Sequence, residues 1–159
     1  MTHKTPRIFH LLQQAHSAVF RAADRFWRQE EGLTATQQGV LFTLSKGEGI
    51  PITTIADQLK MGKSSLTGLI DRMTERKLVR RETSAQDGRV QLIFIEPAGV
   101  RHVERSVFRV RRYNERLLEA FSPAEQQIIA RFLNYVAHNA DDIITNIPEN
   151  SEPEIETKK

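Results

Sequence analysis

The apolar positions between residues 53 and 73 predict two short helices joined by a tight turn. Over residues 53–59, Ile55, Ala56 and Leu59 are spaced so that they share one face of a helix. The next apolar positions fall at i, i+3, i+4 and i+7, which predicts a second helix with one buried stripe: Leu66, Leu69, Ile70 and Met73. Between the two helices lie residues 60–62, where Gly62 permits a tight or left-handed backbone. Helix, turn and helix in this order are typical of a helix-turn-helix unit.

The outward face of the second predicted helix is polar, and it is positively charged near its N-terminus. The candidate DNA-binding residues on this helix are Lys63, Ser64, Ser65, Thr67 and Arg72. Small hydroxyl side chains let a helix backbone approach the major groove closely, and in helix-turn-helix proteins the first residues of the second helix meet the base edges. The alternative is that the two serines and the threonine only cap the helix and face solvent.

The sequence directly after this helix favours β-strands instead of a further helix. Residues 79–83 and 90–95 are rich in β-prone side chains, and Asp87 followed by Gly88 is a strong signal for a hairpin turn. A two-stranded hairpin after a helix-turn-helix is a wing, and its tip here carries Arg89. The order of these elements therefore predicts a winged helix-turn-helix, which is a DNA-reading unit.

Positive charge is concentrated on this unit. Between residues 60 and 89 there are eight Lys or Arg against four Asp or Glu, a local net charge of +4, whereas the whole chain carries +3. A basic surface of this kind neutralises phosphates. We expect Arg81 to contribute to that surface, Arg89 to enter the minor groove and Asp87 to orient a basic neighbour. The alternative for Asp87 and Arg89 is an ordinary hairpin turn with an exposed charge.

Long helices are predicted on both sides of the winged unit. Residues 7–31 carry two adjacent apolar stripes, and residues 97–147 contain a helix opened by Pro97 and a last helix restarted at Pro123. Apolar side chains cover more of these helices than one subunit can bury, so we expect a dimerisation platform. The predicted fold is mainly α with a small β-hairpin wing, a winged helix-turn-helix over residues 33–96 with N- and C-terminal dimerisation helices. Residues 149–159 are acidic and nearly devoid of apolar side chains, which predicts a disordered tail.

Length and composition narrow the function further. A chain of 159 residues, 39% of them hydrophobic, is the size of a single domain (residues 1–159). The absence of cysteine excludes disulfides and thiolate metal sites and fits a reducing cytoplasm, and no stretch has the apolar length of a signal peptide or a membrane span. An enzyme is the rival class, but there is no glycine-rich phosphate loop and no Gly-x-Ser-x-Gly. We therefore expect a cytoplasmic protein that is not an enzyme, needs no cofactor and has no membrane partner.

Several short motifs, taken in order, resemble the MarR family of bacterial transcription regulators over residues 7–147. They are Gly32-Leu33-Thr34, TTIADQL at 53–59, KSSLTGLIDRM at 63–73, Leu78-Val79-Arg80-Arg81, Asp87 with Arg89 in the wing, and Pro97 with Gly99 after it. The resemblance implies a homodimer, interleaved through its N- and C-terminal helices, that binds a palindromic operator on double-stranded DNA as a repressor. It also implies release from DNA when a small effector enters a cleft between the dimerisation and DNA-binding regions.

The sequence departs from the family pattern after the second helix of the reading unit. Lys77 stands where the family usually has Gly, so a left-handed backbone there would be mildly strained. Gly88 gives the wing Asp-Gly-Arg where the family often has two consecutive arginines, which leaves fewer charges at the tip.

The resemblance also indicates candidate effector residues. The effector cleft would be lined by His16, Phe20, Trp27 and Phe42, with Arg105 or Arg109 receiving an anionic group, so that the effector is expected to be anionic or aromatic. The alternative is that these residues form core and dimer packing.

Two further functions stay open. Five histidines, at positions 3, 10, 16, 102 and 138, raise the possibility of a metal-responsive regulator, since His102 lies near Glu104 and His138 lies near two aspartates. Histidine and carboxylate neighbours of this kind are also common on helix surfaces, and we expect no metal site. The other function is that of an architectural DNA-binding protein without an effector.

Overall fold

The computed structural model describes residues 6–146 of the chain. Within that range the elements are α1 (Ile8–Glu31), α2 (Ala35–Leu44), β1 (Ile50–Pro51), α3 (Ile52–Leu59), α4 (Lys63–Glu75), β2 (Val79–Thr83), β3 (Gln91–Ile95), α5 (Pro97–Leu118) and α6 (Pro123–Thr145). The expected fold class, mainly α with a winged helix-turn-helix, is confirmed. The tail predicted at residues 149–159 lies outside the described residues.

Local hydrogen bonds fix the start of α2 against α1. Thr34 Oγ1 accepts from the Gln37 N–H at 3.0 Å, and Gln37 Oε1 accepts from the Thr34 N–H at 2.9 Å, which is a capping box. The Asp24 carboxylate of α1 accepts from the Ala35 N–H at 3.0 Å. The hydrogen bond from Arg28, followed by that from Ala35, holds the pKa of Asp24 below its ordinary value. Asp24 therefore joins the two helices as a carboxylate.

A hydrophobic core lies beneath α2, α3, α4 and the sheet. The predicted stripe of α4 is buried, with Leu66, Ile70 and Met73 fully enclosed and Leu69 only 6% exposed. These side chains share one cluster with residues of the other elements: Leu41, Leu44, Ile55, Leu78, Val79 and Ile93. Because the stripe faces this core, the opposite face of α4 is directed outward.

The turn of the helix-turn-helix differs from the prediction in its backbone. Lys60 is the left-handed residue, with φ at +51°, and it ends α3. Gly62, where the sequence permits a tight or left-handed backbone, has φ at −66° and ψ at 141° and precedes α4 as its N-cap, so it does not adopt the left-handed conformation. The left-handed residue lies there because the N–H groups of Lys60 and Met61 close the end of α3 on the carbonyls of Asp57 and Ala56.

The wing is part of a three-stranded antiparallel sheet with the order β1-β3-β2. The predicted two-stranded hairpin is present, but Ile50 pairs with Ile93 and Pro51 with Leu92 to add a third strand. Two residues are too short to show alternation, which is why the sequence pattern did not reveal β1. This strand pairs with β3 at the edge opposite β2 and ties the start of α3 to the wing.

The chain divides into two compact units, with the boundary between Arg109 and Val110. The second unit contains the end of α5 and all of α6, which begins with a capping box formed by Ser122 and Glu125. The Ser122 hydroxyl, followed by its N–H, stabilises the Glu125 carboxylate and holds its pKa below the ordinary value. No side chain of α6 is buried within the chain. Within residues 6–146, no helix is both long enough and apolar enough to cross a membrane.

Candidate nucleic-acid interface

The outward face of α4 carries the five predicted DNA-binding residues of this helix. All are exposed: Lys63, Ser64, Ser65, Thr67 and Arg72. Thr67 Oγ1 donates to the Lys63 carbonyl at 2.9 Å, so its hydroxyl keeps its acceptor capacity on the helix surface. The N-cap is Gly62, which has no side chain to satisfy the first N–H groups of α4. These donors add to the positive end of the helix dipole beside Lys63, which suits a phosphate.

The wing tip is ordered by hydrogen bonds around Asp87. The Asp87 carboxylate accepts from the Arg89 N–H at 2.9 Å, while the Asp87 carbonyl accepts from the Val90 N–H at 2.9 Å. Ser84 closes the loop by donating its N–H to the Val90 carbonyl at 2.9 Å. Asp87 therefore orients its basic neighbour through the backbone, which places Arg89 at an exposed position of a fixed turn. An ordinary turn uses the same hydrogen bonds, so the role of Arg89 on DNA stays a prediction.

The two arginines of β2 point to opposite faces of the sheet. Arg80 lies over the Phe94 ring, 4.2 Å from its centroid, and pairs with Glu82 at 3.1 Å and Glu96 at 3.5 Å. Arg81 donates from Nη2 to Asp71 Oδ1 of α4 at 2.8 Å. The sequence pattern identified Arg81 but not Asp71, because the pair depends on how β2 approaches α4 in three dimensions.

The six candidate effector residues contact different partners in the structure. His16 and Phe20 lie on the exposed side of α1 with their ring centroids 4.4 Å apart. Trp27 is 4% exposed and packs edge to face with Phe26, and Phe42 is half-buried against the core. Both of these aromatic side chains pack within the chain, and their place in an effector cleft stays a prediction.

Arg105 and Arg109 converge on the end of α1. Arg105 Nη2 lies 2.9 Å from Glu31 Oε2, and Arg109 Nη1 lies 3.6 Å from Glu31 Oε1 and 3.4 Å from Glu30. The Glu31 side chain is only 9% exposed. The two arginines thus form a built carboxylate site that Glu31 occupies.

His102 is part of the same cluster. Its Nδ1 lies 3.0 Å from Glu31 Oε2 and 3.1 Å from Arg105 Nη2. Burial, and next the positive charge of Arg105, hold the pKa of His102 below its ordinary value although Glu31 favours the charged form. Among residues 6–146 no three His, Asp or Glu side chains are grouped as metal ligands would be.

Comparisons with known proteins find similarity to DNA-binding transcriptional regulators. A family model described as "MarR family" matches residues 31–90. The chain is 26% identical over 135 residues to the HTH-type transcriptional repressor IacR of Pseudomonas putida, covering 85% of this chain and 80% of that protein. Its structure is similar to that of the S. aureus MepR–DNA complex, with a TM-score of 0.78 and 20% identity over 86% of this chain and 99% of that one. It is also similar to the PcaV transcriptional regulator of Streptomyces coelicolor in complex with its natural ligand, with a TM-score of 0.70 and 26% identity over 87% and 94%.

Proposed function

We propose that this chain is a DNA-binding transcriptional regulator of the MarR family rather than an enzyme, and that it is a homodimeric repressor of a palindromic operator. The observation that carries the proposal is the exposed, polar and cationic face of α4, next to a wing whose tip holds Arg89. The repressor assignment is supported by the Pseudomonas putida relative, which is named a repressor.

The dimer is supported by apolar side chains that the chain leaves exposed. On α1 these are Ile8, Phe9, Leu11, Val19 and Phe20, and on α6 they are Ile128, Leu133, Tyr135, Ile143 and Ile144. Monomeric proteins rarely expose apolar patches of this extent. A second copy of the chain would cover them. A two-fold dimer then presents two copies of α4, so its DNA site should be palindromic, with half-sites about one helical turn apart.

Sedimentation tests the dimer directly. At micromolar concentration the unmodified chain should sediment as a dimer, and Leu133→Glu should shift it toward monomer because a charge would be buried in the interface. Gln127→Glu adds the same charge at another exposed position of α6 and serves as the control. A monomeric unmodified chain would contradict the proposed dimer.

The operator is tested by selecting duplexes from a random library and footprinting the enriched sequences. We expect a palindrome whose binding falls steeply with salt, with a slope of log K against log salt of about −7 to −9 if about eight to ten counterions are released. A protein that enriched no sequence, yet bound all duplexes alike, would be an architectural protein instead. A slope near −2 would show that the basic surface is not the operator-binding face.

We further propose that the effector is a small organic anion that carries an aromatic ring. Arg105 and Arg109 already hold a carboxylate, Glu31, so an incoming carboxylate can take its place on the same guanidinium groups. Arg109 also lies 5.7 Å from the Phe26 ring centroid, which puts an aromatic surface next to the charge. The ligand complex of the Streptomyces coelicolor protein supports effector binding in this fold.

A panel of aromatic monocarboxylates tests the effector. One of them should weaken binding to the selected duplex, and Arg109→Gln should abolish that response while leaving binding without effector intact. Arg111→Gln removes a neighbouring arginine whose partner is Glu115, and it should respond like the unmodified chain. If no compound in the panel changed the melting temperature or the affinity for DNA, the proposed effector class would be wrong.

A further inference from the structure

The contact between Arg81 and Asp71 joins the wing to α4. Arg81 lies in the middle of β2 and Asp71 in the second half of α4, and their side chains meet at 2.8 Å. In sequence they are ten residues apart, on two elements that are both expected at the DNA surface. A bond between them constrains how far the wing can move from the helix.

Arg81 lies on the inner face of the sheet. Side chains alternate along a strand, so Arg81 shares a face with Val79, which is 1% exposed. Its cross-strand partner is Ile93, which is fully buried. The Arg81 side chain, 31% exposed, therefore lies at the edge of the core and extends to Asp71 of α4. Arg80 lies on the other face of the sheet, over Phe94. A residue in this position is better placed to hold the sheet against the helix than to contact a phosphate.

We infer that Arg81 and Asp71 are positioning residues: their ion pair sets the angle of the wing relative to α4 and thereby the reach of Arg89. This inference rests on the proposed reading of DNA by α4 and the wing. Strand residues rise about 3.3 Å each, so Arg81 lies about 7 Å from the end of β2 at Thr83, and a small rotation at Arg81 causes a larger displacement at the tip of the wing. An exposed ion pair adds little stability, so its effect should appear in binding rather than in melting.

Asp71 could act only as a negative charge near DNA or as a positioning residue, and the two roles predict opposite changes in DNA affinity for Asp71→Asn. If Asp71 is only an acid near phosphates, Asp71→Asn should strengthen binding because a repulsive charge is removed. If it positions the wing, Asp71→Asn should weaken binding to the selected duplex and lower the preference over a scrambled duplex. We expect weakening by about fivefold, within the usual range for coupled residues.

A double-mutant cycle separates positioning from direct contact. Arg81→Gln should weaken binding as Asp71→Asn does, and the double variant should be no weaker than either single variant, because both remove the same bond. Asp71→Glu keeps the carboxylate and should restore binding. The matched control is Arg80→Gln, whose partners are Phe94, Glu82 and Glu96, and its effect should add to that of Asp71→Asn.

The cycle also includes outcomes that overturn the inference. Tighter binding by Asp71→Asn would show that Asp71 acts only as an acid near phosphates. Additive losses in the Asp71 and Arg81 cycle would show that Arg81 acts on DNA independently of Asp71. The melting temperatures of all variants show whether they fold. Arg81→Lys is a milder change, because it keeps the positive charge but loses the planar guanidinium group. Failure of the unmodified chain to bind any duplex would instead contradict the proposed function.

Discussion

Arg76 donates a hydrogen bond from Nη1 to the carbonyl oxygen of Gly32 at 2.8 Å, which joins the end of α4 to the end of α1. Each residue is the C-cap of its helix, and Gly32 has the left-handed backbone, φ +63°, that ends α1. A guanidinium is favourable at this carbonyl because the C-terminal end of a helix is negative. The C-terminal end of α4 is thus tied to the helix that contributes Glu31.

Arg76→Gln should lower the free energy of unfolding by about 1 kcal/mol, since a charged hydrogen bond that links distant segments is lost. Urea denaturation measures this. Arg72→Gln, an exposed arginine in the last turn of the same helix, is the control and should have little effect. Equal stability of the two variants would show that the Arg76 contact is unimportant.

Lys77→Gly should stabilise the chain. Lys77 has φ at +55°, a left-handed backbone that costs a side-chain-bearing residue about 1 kcal/mol and costs glycine much less. The family resemblance implied that a left-handed backbone at this position would be mildly strained, and Lys77 does have a positive φ. Lys77→Ala is the matched control, because alanine loses the same charge but keeps the strain. A higher urea midpoint for the glycine variant alone is the expected result, and equal midpoints would show that Lys77 is unstrained.

Gly99→Ala should destabilise the first unit by about 1 to 3 kcal/mol through overpacking. A Cβ at Gly99 would lie 2.8 Å from Ile95 Cγ1 and 3.0 Å from Leu41 Cδ2, and closer still to the Leu78 carbonyl oxygen. Gly62→Ala is the control, since a Cβ there meets nothing within 4 Å. Thermal unfolding should separate the two, and equal melting temperatures would contradict the close approach of α5 to the sheet.

The sequence predicted those features that depend on local pattern. The apolar stripe of α4 is buried as predicted, and the last helix begins at Pro123 as predicted, because periodicity and helix-start signals act within a few residues. What it missed depends on distant partners. Glu31 meets Arg105 across 74 residues, and Arg76 meets Gly32 across 44. Gly62 has the higher intrinsic preference for a left-handed backbone, yet the end of α3 places that conformation at Lys60.

The stability of the chain should depend on pH through His102. The pKa of its imidazole is lowered, mainly by burial and next by Arg105; Arg76 adds repulsion, while Glu31 favours the charged form. The unfolded chain therefore takes up this proton at a higher pH than the folded chain does. The contribution of neutral His102 to the free energy of unfolding is therefore fully present above pH 6.5, the ordinary pKa. It is lost as the pH falls through the lowered pKa of the folded chain.

Imidazole titration by NMR should therefore give His102 a pKa below the ordinary value of 6.5. In His102→Gln the loss of melting temperature on acidification below that value should be smaller than in the unmodified chain. A pKa at or above 6.5 for His102 would contradict the described environment.

The central claim, that α4 and the wing form the DNA-reading surface, is tested most directly by profiling Arg89→Ala and Thr67→Ala on a library of operator variants. Both variants must first be shown to remain folded and to keep the oligomeric state of the unmodified chain. Arg89→Ala should lose affinity with little change in the preferred core bases, because the minor groove distinguishes little more than A·T from G·C. Thr67→Ala should alter base preference at inner operator positions, each good contact being worth about 1 to 3 kcal/mol. If Arg89→Ala bound as tightly as the unmodified chain and Thr67→Ala kept its base preferences, the surface would not be the DNA-reading face.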